Sequence, residues 1–389
     1  MSYSRRALVL SSVIAAAATV LTTTAAAAQS TIKIGVVQPL TGPFAAAGTD
    51  VVNGARIAVD EINAKGGVLG QRLELVVEDT KSNPTEAASV TEKLIIRDKV
   101  PVLMGASAST ATLAVMPKLR EYKVPMLVET SSSSKITTAG NPYIFRIAPP
   151  SEVEAVAFGK IVGKIGIRKA NFLVVNNDWG IGTADEFSKM LKEHSMQVGI
   201  IERMDPAAQD MNAQLAKIKA TDADTLIVTG AVEQLSLVLK QAAGLGLQAK
   251  IISTGGSQNP DQLIQNVGKA ADGSMHLTFF APWSPEATPN PELANAFVSE
   301  WKKRNLPFAS LTQSFRGYDG IRTIAEAIRI AGKAEPEAIR AAFWKVNING
   351  LNGPIKFEKN GPAGQESGQS VPNVYLVRIE NGKASVPKI

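Results

Sequence analysis

Residues 100–134 read VPVLMGASASTATLAVMPKLREYKVPMLVETSSSS, and this stretch decides the fold. Two short apolar runs, 102–104 and 126–128, have the length and composition of buried parallel strands. Each gives way to small hydroxyl residues. The first leads into Gly105, Ala106, Ser107, Ala108, Ser109 and Thr110, the second into Thr130, Ser131 and Ser132. Between them, residues 113–122 have the length of a helix with Leu113, Met116 and Leu119 on its inward face. Strand, loop, helix and strand in this order make two neighbouring parallel strands. Both loops then lie at the same sheet edge, where open α/β sheets bind ligands. A helix N-terminus at that edge offers unpaired N–H groups and partial positive charge to a carboxylate or phosphate. The hydroxyls add donors, and nothing in the stretch is a catalytic group. The competing role for any one hydroxyl is a helix cap. Two clusters at the ends of adjacent strands point instead to ligand contact.

Outward from this stretch the alternation continues. Upstream, 32–37 reads as a strand and 48–63 as a helix with Val52, Ala55, Val59 and Ile62 on one stripe. Residues 73–78 form a strand and 85–97 a helix. Downstream, the run 143–150 closes in Pro149-Pro150 and reads as a crossover between two lobes. The pattern then restarts: helix 152–163, strand 171–176, a helix beginning after Asp178-Trp179-Gly180, strand 198–204, helix 211–220, strand 225–228, helix 233–243 and strand 250–253. A strand at 275–280 leads into the proline-rich 281–291, a second crossover. Helices 291–304, 314–331 and 336–344 follow; 355–357 reads as a third crossover and 374–379 as a closing strand.

A chain of 389 residues is too long for one ordinary α/β core and comfortable for two. It holds no cysteine, which excludes disulfides, thiol catalysis, zinc-thiolate and iron–sulfur sites. Its two histidines, His194 and His276, are far apart and lack carboxylate-rich surroundings, so a histidine triad or multi-histidine metal site is not expected. The former reads as a solvated helix end, the latter as part of a strand. The net charge is +6, but the basic residues are scattered and only 5% of residues are aromatic, which leaves no nucleic-acid footprint. Gly180-Ile181-Gly182 faintly resembles a dinucleotide fingerprint; it lacks the third glycine and the acidic residue on the next strand. No cofactor and no metal are expected.

Residues 1–28 read as an export signal: Arg5-Arg6, an apolar run from Ala7 to about Val20, and Ala26-Ala27-Ala28 before cleavage. The apolar run is short for a membrane anchor, and no cysteine follows for lipid attachment. A soluble periplasmic protein is expected, exported by the general or the twin-arginine route. Trp179, at a strand-to-helix loop, is expected in the cleft. Gln38 and Phe44 in the first loop are candidates to line it, and Gln258 is a candidate polar contact. Arg146, at the first crossover, would orient or pair, while Phe279, Phe280 and Trp283 would pack between lobes.

The chain resembles the branched-chain amino-acid-binding family of periplasmic solute-binding proteins, the receptors of ABC importers. The residues that carry the resemblance are IKIGVVQPLTGPFAAAG at 32–48, GARIAVDEINAKGGVLGQRLELVVEDTKSNP at 54–84, GASAST at 105–110, PYIFR at 142–146 and NNDWGIG at 176–182. GYDGIRTIAEAI at 317–328 and GLNGPIKFEKNG at 350–361 complete it. It covers all of the chain after the export signal, in order. The resemblance implies an α/β fold of two Rossmann-like lobes with parallel-sheet cores, joined by three hinge crossovers: the type I periplasmic binding fold. Lobe 1 would be 29–147 plus 278–353, and lobe 2 would be 148–277 plus 354–389. It also implies a non-enzymatic monomer that hands its ligand to permease subunits in the inner membrane.

By that resemblance the ligand carboxylate falls to Ser109, Thr110, Thr130 and Ser132, and the aromatic lid to Trp179. The family's acidic partner for an α-ammonium aligns with Gly255. Two further aromatic positions align with Ala231 and Ala47. An ammonium without a counter-ion in a dry cleft is costly. Gly255 therefore favours a ligand without an α-ammonium, and the alanines a larger apolar body, such as an aromatic or aliphatic carboxylate. An ordinary amino acid stays open if Glu129, Glu233 or Asp178 supplies the charge. Two other classes are a sensor domain reporting to a membrane receptor and an enzyme; the scarcity of histidine and cysteine argues against the last.

Overall fold

The computed structural model describes residues 31–256 and 259–387. The export signal at 1–28 and Gln258 lie outside the described residues. The strands are β1 Thr31–Gln38, β2 Arg72–Asp79, β3 Leu103–Gly105, β4 Met126–Val128, β5 Ile144–Arg146, β6 Lys169–Val175, β7 Gln197–Met204 and β8 Thr225–Thr229. They continue as β9 Lys250–Ser253, β10 Met275–Thr278, β11 Ile348–Gly350, β12 Gly353–Ile355, β13 Glu358–Asn360, β14 Ser367–Gln369, β15 Tyr375–Glu380 and β16 Lys383–Ser385. They form two large sheets, ordered β13-β14-β5-β4-β3-β1-β2 and β16-β15-β10-β9-β8-β6-β7, and a hairpin of β11 with β12. Each large sheet is parallel except at one edge, where β13, β15 and β16 run antiparallel. This is the type I periplasmic binding fold, an α/β architecture.

The strands are nearly continuous apolar runs because helices cover both faces of each sheet. Ile34, Val36, Met104, Leu127 and Phe145 face one helical layer of the first sheet. Val37, Leu103, Met126, Val128 and Ile144 face the other. The second sheet repeats the arrangement, with Leu173, Leu226 and Val228 on one side and Phe172, Ile227 and Ile252 on the other. The register Leu103↔Met126 and Met104↔Leu127 brings the two hydroxyl-rich loops to one edge, as the sequence predicts.

Three boundaries differ from expectation. The helix placed at 113–122 spans Ser109–Tyr122, so Ser109 and Thr110 lie in its first turn. The helix placed after Gly180 spans Asp178–Glu193, because the Asn177 side chain caps it by accepting from the Gly180 N–H at 3.0 Å. Trp179 therefore sits in a first helical turn and not in a free loop. Third, residues 355–357 do not cross to the second sheet. Phe357 packs edge-on against Phe145, with centroids 5.3 Å apart, and β14 pairs with β5 through Gly368↔Phe145 and Gln369↔Arg146. The third crossing lies between Gln369 and β15, so 358–369 belong with the first sheet and not with the second.

His276 is buried in β10 and hydrogen-bonds through both ring nitrogens, to the hydroxyls of Ser253 at 2.7 Å and Ser274 at 2.8 Å. Burial pushes its pKa down to about 3, so the ring is neutral and structural. His194 caps a helix end in solvent.

Candidate ligand cleft

The carboxyl ends of β1, β3 and β4 face those of β6, β8 and β9 across a cavity of about 460 Å³, part of it continuous with solvent. Phe44, Ala47, Ser107, Ala108, Ser109, Thr130, Ser131 and Ser132 line it from the first half. Asn177, Trp179, Ala231 and Gly255 line it from the second.

The polar end is built by the helix Ser109–Tyr122 and the loop after β4. Ala108 holds an extended conformation before that helix and makes no side-chain cap, so the first-turn N–H groups stay available to an anion. The serines are therefore not spent on capping. The Ser109 hydroxyl accepts from the Ser133 N–H at 3.1 Å, which ties the two loops together and leaves its own proton free to donate. Ser131 donates to the Ala106 carbonyl at 2.6 Å.

The second loop is held from behind by Arg146. Its guanidinium is fully buried and donates to the carbonyls of Ser131 at 3.2 Å and Ser133 at 2.7 Å, to Gln369 Oε1 at 2.6 Å and to Thr137 Oγ1 at 2.7 Å. Those bonds fix the course of the serine run, whose residues Thr130, Ser131 and Ser132 line the cavity. Burial without a carboxylate partner lowers the Arg146 pKa to about 9. Arg146 thus orients a loop and makes no surface ion pair.

The apolar end consists of Phe44, Ala47, Ala231 and the indole of Trp179. Trp179 is 8% exposed, and its Nε1 is buried without an acceptor among the described residues. Gly255, at φ +84°, lies under the indole edge; a Cβ there would stand 2.4 Å from Trp179 Cζ2. Its N–H donates to Glu154 Oε1 at 2.7 Å. Burial pushes the Glu154 pKa up to about 8, and the nearby Arg316 charge opposes that rise without cancelling it.

No charged side chain is among the described residues lining the cavity. Glu129 lies behind the wall, accepting from Gln38 Nε2 at 2.7 Å and from the Thr130 hydroxyl at 3.0 Å, and burial raises its pKa. Asp178 accepts from the Thr110 hydroxyl at 3.2 Å and pairs with Lys135 at 3.7 Å. Glu233 does not reach the lining. A second cavity, of about 370 Å³, lies on the hinge side and contains Glu129, Arg316 and Asp319. It presents no helix N-terminus, and its charged groups are engaged by protein partners.

The sequence-derived residues are distributed unequally. Ser109, Thr130, Ser132, Trp179, Gly255, Ala231 and Phe44 line one cavity. Thr110 does not; its hydroxyl instead bridges the halves to Asp178. Gln38 is buried between Ser107 and Glu129 and supports the wall without lining it. Phe279 is buried between the halves, against Gly256 and Arg316, whereas Phe280 packs within the core of the first half on Phe297 and Phe315 and not between the halves; Trp283 donates to Asp261 at 2.6 Å. Asn177, Ser107 and Ser131 were not singled out as site residues. Their positions immediately after β6, β3 and β4 are the signal that could have found them.

Residues 31–384 match the family described as periplasmic binding protein. The chain belongs to that family. It is accordingly a binding protein and not an enzyme, and its relatives include ABC-transporter solute-binding proteins. It is similar to a Leu/Ile/Val-binding protein of Rhizobium johnstonii, 29% identical over 319 residues, covering 81% of this chain and 84% of the relative. A crystal structure of a leucine-binding protein from Thermotoga maritima superposes with a TM-score of 0.80 at 28% identity, covering 92% of this chain and 97% of that one. A solute-binding protein of an ABC transporter from Rhodopseudomonas palustris, in complex with 4-hydroxybenzoate, superposes equally well: TM-score 0.80, 27% identity, coverage 92% and 96%. No helix of the described residues is long and apolar enough to cross a membrane, and no cluster of potential metal ligands occurs among them.

Proposed function

We propose that this protein is the periplasmic receptor of an ABC importer and captures a small carboxylate that carries no α-ammonium group. The observation that supports this reading is the composition of the cavity wall. Amide and hydroxyl donors gather at one end, apolar and aromatic groups at the other, and no carboxylate faces the space between. A carboxylate finds the N-terminus of the helix Ser109–Tyr122 and the hydroxyls of Ser109 and Ser132, while the Thr130 hydroxyl beside them donates to Glu129. An ammonium group finds no counter-charge and would lose its hydration uncompensated. Aromatic and medium-length aliphatic acids fit this division. The 4-hydroxybenzoate complex of a relative is consistent with it, and the Leu/Ile/Val-binding relatives define the competing ligand class.

In this reading the two halves are lobes that hinge at the crossings after β5, after β10 and between β14 and β15. The ligand meets the serine loops first, and the second lobe then brings Trp179 over it. Ligand contacts on both lobes are what favour closure. The closed pair of lobes, as a monomer, presents itself to the permease. Export rests on residues 1–28. A thermal-shift screen of the purified protein against amino acids and against aromatic and aliphatic acids tests the ligand class. A ligand at about a hundred times its Kd adds roughly 2.7 kcal/mol of stability. Stabilisation by acids and not by amino acids is the expected outcome; stabilisation by leucine, isoleucine or valine alone refutes the ligand class.

A further inference from the structure

We infer that Arg316 is a positioning residue: it latches the two halves together by holding the main chain of the cleft wall behind Gly255. Arg316 lies on the helix Leu311–Ala331, which packs on the first sheet, and is 1% exposed. Its Nη2 donates to the carbonyl of Gly256 at 2.9 Å, in the loop after β9 of the second sheet. Gln313, on the same helix, donates through Nε2 to the same carbonyl at 2.5 Å. The two side chains are themselves joined, Arg316 Nε to Gln313 Oε1 at 3.1 Å. Two donors from one half therefore converge on one acceptor of the other.

The position of that acceptor gives the contact its meaning. Gly256 follows Gly255, the residue on which the Trp179 indole rests and whose N–H is held by Glu154. On its other side the guanidinium donates through Nη1 to the carbonyl of Glu129 at 3.2 Å, next to Thr130 on the opposite cleft wall. One side chain thus spans from the loop that receives a carboxylate to the loop under the aromatic lid. A buried guanidinium is expensive, and an apolar residue would pack against Phe279 and Phe315 at lower cost. When the halves separate at this loop, the Gly256 carbonyl loses both donors and the guanidinium loses an acceptor. That penalty favours the closed arrangement before any ligand arrives.

The chain has no cysteine, so paired spin labels are placed cleanly. Thr85→Cys and Gln209→Cys introduce them at exposed sites, one in each half, beyond the carboxyl ends of the edge strands β2 and β7. Distance distributions are recorded without added ligand in this background and in Arg316→Met, Arg316→Lys and Gln313→Leu. The background protein should show a short-distance population that Arg316→Met depletes about tenfold, with Gln313→Leu and Arg316→Lys losing less. If Arg316→Met fails to give a native melt, the two milder variants decide. The inference rests on the hinged reading of the halves. One narrow distance in every protein would refute hinge and latch together. Any other distribution that the variants leave unchanged, including one lacking the short distance throughout, would refute the latch alone.

Discussion

The indole of Trp179 covers Gly255 so closely that a Cβ on the glycine would stand 2.4 Å from Cζ2 and 2.8 Å from Nε1. The position that the family resemblance assigns to an acidic ammonium partner is thus sealed by an aromatic edge. No side chain at 255 fits while the indole stays where it is.

Gly255→Asp is therefore expected to damage the protein without converting it. The backbone at φ +84° disfavours any side chain, and the aspartate must also displace the indole. A stability loss of about 1–3 kcal/mol is expected, read by thermal melting, with no leucine binding gained by calorimetry. A stable variant that binds leucine contradicts this packing argument.

Ser109→Ala removes a hydroxyl that accepts from Ser133 N–H and faces the cavity. Affinity for a carboxylate ligand should fall about tenfold, the scale of one hydrogen bond to a charged group, while the fold loses on the order of 1 kcal/mol. Titration of the variant with any acid that stabilises the wild type measures the first, and urea melts measure the second. Unchanged affinity removes Ser109 from the site.

Arg146→Met leaves the buried carbonyl of Ser131 without its donor and takes from the Ser133 carbonyl one of two, the other being the Ile136 N–H at 3.2 Å. A destabilisation on the order of 3 kcal/mol is expected, and Arg146→Lys, which can still reach one carbonyl, should lose less. Denaturant unfolding of both variants decides; a loss no larger than that of an exposed arginine would show that the loop holds itself.

Glu154 makes stability depend on pH in a definite direction. Its carboxyl group is pushed from 4.5 to about 8 by burial, so across that interval the folded protein keeps a proton that the unfolded chain releases. The contribution of Glu154 is unpenalised below the lower value, and stability falls as pH rises toward the upper one. Glu154→Gln keeps an acceptor for the Gly255 N–H and has no proton to lose. The variant's stability relative to wild type should rise from about pH 5 to about pH 8 in urea unfolding. Parallel profiles would mean that the native carboxylate is already ionised.

Much of this was legible because the signals are local. The apolar runs at β3 and β4 and the hydroxyl residues after them placed the hydroxyl-lined end of the cavity from spacing alone. Trp179 and Gly255 were both named from sequence, but their contact joins residues far apart in the chain and no periodicity encodes it. The same holds for Arg146: the sequence shows an arginine shortly before two prolines, while its four acceptors come from the stretch 131–137 and from Gln369, more than two hundred residues on. The third crossing was misplaced because Ile355 and Phe357 look like a short buried strand. Their burial is real, but it is in the core of the first half, Phe357 against Phe145 and Ile355 in the hairpin with Ile348. Arg316 gave no signal at all, since a helix of mixed polarity hides which of its charges points inward.

The most direct test of the ligand class compares molecules that differ only in the ammonium group. Leucine and 4-methylpentanoate share one skeleton, as do phenylalanine and 3-phenylpropanoate. Calorimetric titration of the purified protein with each pair isolates the α-ammonium from shape and carboxylate. The cavity described here predicts that at least one acid binds and that its amino-acid counterpart binds at least about a hundredfold more weakly, the scale of an uncompensated buried charge. Tighter binding of leucine or phenylalanine than of the matching acid would contradict it and require a carboxylate to turn into the cleft.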